Sequence, residues 1–96
     1  MKIYILTDIE GVAGVVLWEH GHGGRGGDDP SGRYYERSKR LLTEEVNAAI
    51  AGALEAGATE IVVWDGHGSG GIEPELLHPE ARLLFGRGVP KSLGLD

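Results

Sequence analysis

The chain has 96 residues, of which 41% are hydrophobic, 25% are charged and 17 are glycine. Its formal net charge of −6 disfavours a basic phosphate-binding face, so we do not expect nucleic acid as a partner. Because the sequence contains no cysteine, disulfides and thiolate zinc sites are excluded, and a metal ion would have to bind Asp, Glu or His.

The length suits one small α/β domain over residues 1–96, with a thin hydrophobic core. The apolar start of the chain reaches an acid at Asp8, too soon for the apolar part of a signal peptide. No apolar run approaches the ~20 residues of a membrane span. We therefore expect a cytoplasmic protein with no membrane partner.

The first half of the chain predicts a strand, a loop and a long helix. Residues 2–7 form a nearly continuous apolar run, typical of a parallel strand covered on both faces. Residues 19–32 are rich in glycine and predict a mobile loop. Residues 34–56 carry apolar side chains at three- and four-residue steps, which predicts an amphipathic helix followed by Gly57.

The second half predicts two further strands. Residues 59–64 are rich in β-branched side chains, residues 74–77 suggest a helical turn, and residues 81–85 resemble a short strand. A strand, a long helix and a second strand form a βαβ unit, whose strands run parallel. The predicted fold class is α/β, with a short parallel sheet of the three-layer type.

Acids and a histidine follow both of the first two strands. Asp8 and Glu10 end the first strand, whereas Asp65 and His67 end the second. In open α/β sheets, ligands bind beyond the carboxyl ends of the strands. Two adjacent carboxylates repel each other unless a cation lies between them, and imidazole is a common metal ligand. We predict a metal site at Asp8, Glu10 and His67, although on spacing alone the two acids also suit a solvated turn.

Other polar residues are weaker candidates. Asp65 suits a role in orienting a ligand or capping the following turn better than direct ligation. His20 and His22 alternate with glycines and have a spacing that permits metal binding, but ordering their loop would cost conformational entropy. His78, which precedes a proline, suits a structural role.

The sequence resembles the D-aminopeptidase family of zinc peptidases. Three stretches carry the resemblance, in the same order: KIYILTDIEGVAGV, RLLTEEVNAAIAGALEAGATEIVVWDGHG and ELLHPEARLLFGRG. The resemblance implies two zinc ions at the carboxyl edge of an α/β sheet, release of N-terminal D-amino acids from short peptides, and a ring-like homodecamer. The family's first two ligands fall on Asp8, which would bridge the metals, and Glu10, and its first histidine ligand falls on His67.

The resemblance also shows differences from the family. Its proteins are more than twice as long, and a second histidine ligand, a further glutamate ligand and the catalytic histidine fall outside the matched stretches. The catalytic residues are therefore unknown here, and the three matched ligands would hold one zinc ion or an incomplete pair. We expect the N-terminal part of a larger α/β domain, weakly active or inactive as a 96-residue chain. The glycine-rich insert around Gly21–Gly27 is unusual for the family.

Two alternatives come from other functional classes. One is a non-catalytic assembly or binding module derived from such an enzyme, since the edges of a short sheet invite pairing with another chain. The other is an α/β domain that handles phosphate with magnesium at Asp8, although the chain lacks basic phosphate ligands and a phosphate-binding loop motif. The sequence leaves open the substrate side chain, the metal identity and the oligomer number.

Overall fold

A computed structural model of the chain describes residues 1–22 and 32–86, and it shows a short parallel sheet flanked by helices. The elements are β1 (Lys2–Thr7), α1 (Trp18–His22), α2 (Arg33–Glu55), β2 (Glu60–Asp65) and β3 (Ala81–Phe85). The strands lie in the order β1-β2-β3, and both pairs are parallel. The predicted α/β class and βαβ unit are confirmed.

The three strands end level with one another. Thr7 is in register with Asp65, and Asp65 is in register with Phe85. The Thr7 hydroxyl donates a hydrogen bond to the carbonyl of Trp64 at 2.9 Å, and the Gly66 amide donates to the carbonyl of Thr7 at 2.9 Å. A Cβ atom at Gly66 would lie 2.7 Å from that carbonyl oxygen, so only glycine fits. The segments after β1 and β2 therefore start side by side.

The hydrophobic core lies between α2 and one face of the sheet. Ile61 and Val63 of β2 face Leu42, Val46 and Ile50 of α2, and all five are buried. Each fully buried side chain of this kind stabilises the fold by roughly 1.5–3 kcal/mol. The apolar stripe predicted for the helix is thus the face that holds α2 against the sheet.

The opposite face of the sheet is only partly covered in the described residues. Tyr4 and Trp64 lie on that face, and Leu6 beside them is 55% exposed. The sequence predicted helices on both faces because its strands are almost continuously apolar. The third layer stays a prediction.

The connection between β2 and β3 contains no α-helix and is held instead by two polar side chains of α2. The Thr43 hydroxyl, fully buried, accepts a hydrogen bond from the amide of Glu73 at 2.9 Å. The Asn47 side chain donates to the carbonyl of Leu76 and accepts from the amide of His78, each at 2.8 Å. His78 thus belongs to the backbone framework, in line with its predicted structural role.

The segment predicted as a glycine-rich loop, residues 19–32, begins in a helix. Its first four residues belong to α1, and residues 23–31 lie outside the described part of the chain. The His20 ring Nδ1 accepts hydrogen bonds from the amides of Val16 and Leu17 at 3.2 and 3.4 Å, which helps to start this turn. In residues 1–22 and 32–86 we find no helix long and apolar enough to cross a bilayer. The cytoplasmic location stays a prediction.

Candidate metal centre

The two carboxylates after β1 are presented by a short turn anchored in the core. Ile9 is fully buried, while Asp8 and Glu10 on either side of it are exposed. Residues Ile9–Gly11 form one turn of 3-10 helix, closed by a hydrogen bond from the Gly11 amide to the Asp8 carbonyl at 3.1 Å. Burial of Ile9 therefore directs both acids outward at the edge of the sheet.

His67 is held by the loop that follows β2, and Asp65 organises that loop. The Asp65 carboxylate is 2% exposed and accepts hydrogen bonds from three backbone amides. The donors are His67 at 3.3 Å, Gly71 at 2.9 Å and Ile72 at 2.8 Å. Gly70 lies between them with φ of 97°, a value that favours glycine. Asp65 thus fixes the backbone of His67, as the capping role predicted.

The three side chains predicted as metal ligands come together. The His67 Nδ1 atom lies 3.2 Å from Asp8 Oδ1 and 3.4 Å from Glu10 Oε1. One ligand atom from each residue can be chosen so that all three lie within 4.8 Å of one another. The His67 side chain is 6% exposed, whereas those of Asp8 and Glu10 are 65% and 56% exposed. The cluster is therefore rigid on its histidine side and open to solvent on its carboxylate side.

A backbone carbonyl sets the tautomer of His67, and so decides which ring nitrogen presents a lone pair to the carboxylates. His67 Nε2 lies 2.5 Å from the carbonyl oxygen of Gly21 in α1. A carbonyl only accepts hydrogen bonds, so Nε2 carries a proton and donates it. Nδ1 then faces Asp8 and Glu10, which also only accept when ionised. A cation, either a proton or a metal ion, is needed between Nδ1 and the two acids.

The neighbours of Asp8 in the cluster lower its pKa. The hydrogen bond with the Glu10 carboxyl lowers the pKa of Asp8, partial burial opposes this effect, and His67 lowers the pKa further. Asp8 therefore keeps its negative charge at lower pH than an isolated aspartate would. An anionic Asp8, a second acid and a neutral imidazole nitrogen are ligands that zinc accepts.

The remaining histidines are placed differently from one another. His20 is engaged with the backbone and its ring lies 5.5 Å from that of Tyr34. His22 lies at the other end of α1, and its ring centroid is 5.4 Å from that of His67. Of the two histidines that the sequence presented as equivalent, only His22 is next to the cluster.

Comparison with known proteins now identifies the family. A family model described as D-aminopeptidase matches residues 1–95. The chain belongs to the D-aminopeptidase family. It is 38% identical to the D-aminopeptidase of Bacillus subtilis (strain 168), in an alignment that covers 100% of this chain and 34% of that protein. The resemblance seen in the sequence is thereby confirmed, and this chain spans about a third of its relative's length.

A solved structure gives the same result for the fold. It is the zinc-dependent D-aminopeptidase DppA from Bacillus subtilis, described as a self-compartmentalizing protease. The similarity has a TM-score of 0.77 at 36% identity, and it covers 100% of this chain and 34% of that one. The parallel sheet and its helices are therefore those of the corresponding part of a D-aminopeptidase of this family.

Sequence reasoning missed the contribution of α1 to the site. The carbonyl of Gly21 belongs to the backbone, so no side-chain pattern indicates it. Thr43 and Asn47 were also missed as positioning residues, although a signal existed. They lie four residues apart on α2, beside the core residue Val46. Polar side chains at such positions of a packed helix indicate hydrogen bonds to a neighbouring segment.

Replacing Asp65 with Asn should weaken both the fold and metal binding. The NH₂ group of the new side chain would face backbone N–H groups that now donate to the carboxylate. A buried donor without a partner lowers the free energy of unfolding by roughly 1–3 kcal/mol. Loss of such a supporting partner typically weakens metal affinity about 10–100-fold. Chemical denaturation and zinc titration would measure the two effects.

Glu60→Gln, which removes an acid paired with Lys2 at the surface of the same strand, is the control and should change both the stability and the zinc affinity little. Equal behaviour of the two variants would contradict this role.

Proposed function

We propose that this chain carries part of the active site of a zinc-dependent D-aminopeptidase, with Asp8, Glu10 and His67 as metal ligands. The observation that carries the proposal is the position of His67 Nδ1, which lies 3.2 Å from the Asp8 carboxylate and 3.4 Å from that of Glu10. Membership of the D-aminopeptidase family and the zinc dependence stated for DppA support it. The full site of the family would need further ligands, and Asp8 would bridge two metals there.

The donor set and its spacing fit zinc. Bonds of about 2.0–2.2 Å place the ligand atoms of a tetrahedral zinc about 3.3–3.6 Å apart, close to the separations from His67 Nδ1. Imidazole nitrogen suits zinc, whereas magnesium prefers oxygen ligands and its own waters. The position of His67 beside both acids therefore favours zinc over the alternative of a magnesium-dependent phosphate site.

The proposed reaction is hydrolysis that releases an N-terminal D-amino acid from a short peptide, and the name D-aminopeptidase of the Bacillus relative supports it. When bound, zinc supplies a Lewis acid and a water of lowered pKa. The residues of this chain would hold the metal and keep His67 in one tautomer. A cleft of about 370 Å³ lies along the outer edge of β1 and includes Asp8 and Glu45 in its lining. This volume is within the range of small-ligand sites.

A homo-oligomer is part of the proposal. DppA is described as self-compartmentalizing, and two large apolar side chains of this chain are exposed at the carboxyl ends of its strands. They are Leu6, 55% exposed, and Phe85, 63% exposed. The same observation favours the second candidate, an assembly module without catalysis, which predicts oligomers that contain no metal.

Replacing Asp8 with Ala should abolish zinc binding by the 96-residue polypeptide. The variant removes the carboxylate that lies closest to His67 Nδ1. Of the three proposed ligands, only Glu10 and His67 then remain. Competition with a chromophoric chelator would measure the affinity. Glu55→Ala makes the same charge change at the exposed end of α2 and should bind zinc like the wild type. Unchanged affinity in Asp8→Ala would reject the assigned ligands.

The isolated 96-residue polypeptide should hydrolyse a D-alanyl amide little or not at all. The three proposed ligands match only the first part of the family's site, and the histidine that acts in catalysis in the family has no counterpart in the matched stretches. Release of D-alanine from the amide by zinc-loaded protein is the measurement. Robust turnover that disappears in Asp8→Ala would show that the polypeptide is a complete enzyme and would contradict this expectation.

A further inference from the structure

Four side chains of α2 that carry polar groups lie four residues apart and hold the backbone between β2 and β3. They are Tyr35, Lys39, Thr43 and Asn47. Residues at this spacing lie on the same face of a helix. They meet the connection in chain order, at Ser69 and Gly70, at Glu73, and at Leu76 and His78. The first residue of this row therefore meets the part of the loop that carries His67.

Tyr35 holds the turn that begins at His67. The Gly70 amide donates a hydrogen bond to the carbonyl of His67 at 2.8 Å, which closes a turn over residues 67–70. The Tyr35 hydroxyl donates to the backbone carbonyls of Ser69 and Gly70, and it lies 3.1 Å from the Ser69 hydroxyl. The end of the turn opposite His67 is thus fixed to α2.

The ring of Tyr35 is packed beside both His67 and a cation. Its centroid lies 6.2 Å from that of the His67 ring, within the range of aromatic pairs. The Lys39 ammonium lies over the Tyr35 ring, 4.8 Å from its centroid, which is a cation–π distance. Lys39 in turn is paired with Glu36 at 3.0 Å and with Glu73 at 3.2 Å. The Tyr35 ring is therefore held next to His67 by contacts with the helix and the loop.

We infer that Tyr35 is a positioning residue for the metal centre, an inference that rests on the proposed function. Asp65 accepts hydrogen bonds from the amides of the loop after β2, whereas Tyr35 donates to its carbonyls. The two side chains together fix both kinds of backbone group around His67. Loss of the Tyr35 hydroxyl would release the end of the turn, and His67 Nδ1 would no longer be kept beside Asp8 and Glu10.

Tyr35→Phe isolates the hydroxyl, because it keeps the aromatic ring beside His67. Ile50→Val is the matched control, since it trims a fully buried side chain about 22 Å further along the same helix. An Ile-to-Val change in a core and the loss of one hydrogen bond lower stability by similar amounts. An effect of general stability on metal binding should therefore appear in both variants.

Three measurements on the 96-residue polypeptides test the inference. We expect Tyr35→Phe to bind zinc about tenfold more weakly than the wild type, the lower end of the loss seen for partners that support a metal site. The visible spectrum of its bound Co²⁺ should change, because the imidazole takes a different position. Without metal, the Nε2–H of His67 should exchange with solvent faster than in the wild type. Ile50→Val should resemble the wild type in all three.

The outcomes separate failure of this inference from failure of the proposed function. Zinc affinity in Tyr35→Phe equal to that of the wild type would overturn the role of Tyr35 and keep the three-residue site. Equal weakening in Tyr35→Phe and Ile50→Val would also overturn it, because affinity would then follow stability alone. Absence of saturable zinc binding in the wild type would reject the proposed function. In that case the metal-free exchange decides: faster exchange in Tyr35→Phe alone supports its hold on His67, and equal rates overturn it.

Discussion

The level ending of β1 and β2 is the constraint on which the site depends. Because Thr7 is in register with Asp65, the two segments that carry acids and histidine leave the sheet side by side. The Thr7 hydroxyl and the Gly66 amide fasten the two strand ends together. A shift of one residue would turn the side chains of one strand to the other face of the sheet. Ile9 and Asp65 would then lose the environments that they need, and the cluster with them.

Fold and site share the same buried polar groups. Asp65 is a buried acid whose oxygens accept hydrogen bonds from amides of the loop after β2, so the position of His67 depends on a carboxylate outside the cluster of Asp8, Glu10 and His67. Thr43 and Asn47 do the same for the connection to β3. Satisfied buried polar groups of this kind fix one backbone arrangement, whereas apolar packing tolerates several. The exposed carboxylates can therefore stay solvated while His67 is held rigidly.

The sequence was sufficient to predict the α/β class, the β3 boundaries and the meeting of Asp8, Glu10 and His67. These predictions rest on hydrophobic periodicity, which depends on neighbouring residues, and on the geometry of parallel sheets, which depends on the order of the elements. The sequence did not decide the backbone conformation of Ile9–Gly11, because two acids separated by one residue suit both a turn and an extended chain, and only burial of Ile9 distinguishes them. The role of Gly21 could not be predicted, since a backbone carbonyl has no sequence signature and glycine-rich composition disfavoured an ordered turn.

Gly21 and the two acids give the two nitrogens of His67 different partners: Nε2 lies against the Gly21 carbonyl, and Nδ1 faces Asp8 and Glu10. Imidazole ¹⁵N spectroscopy during zinc titration tests this directly, with His67→Gln used to assign the resonances. We predict that zinc shifts the Nδ1 resonance of His67 while Nε2 keeps its proton, protected from exchange by the hydrogen bond to Gly21. A zinc-bound Nε2 with a proton on Nδ1, or a His67 spectrum that zinc leaves unchanged, would contradict this assignment of the two nitrogens.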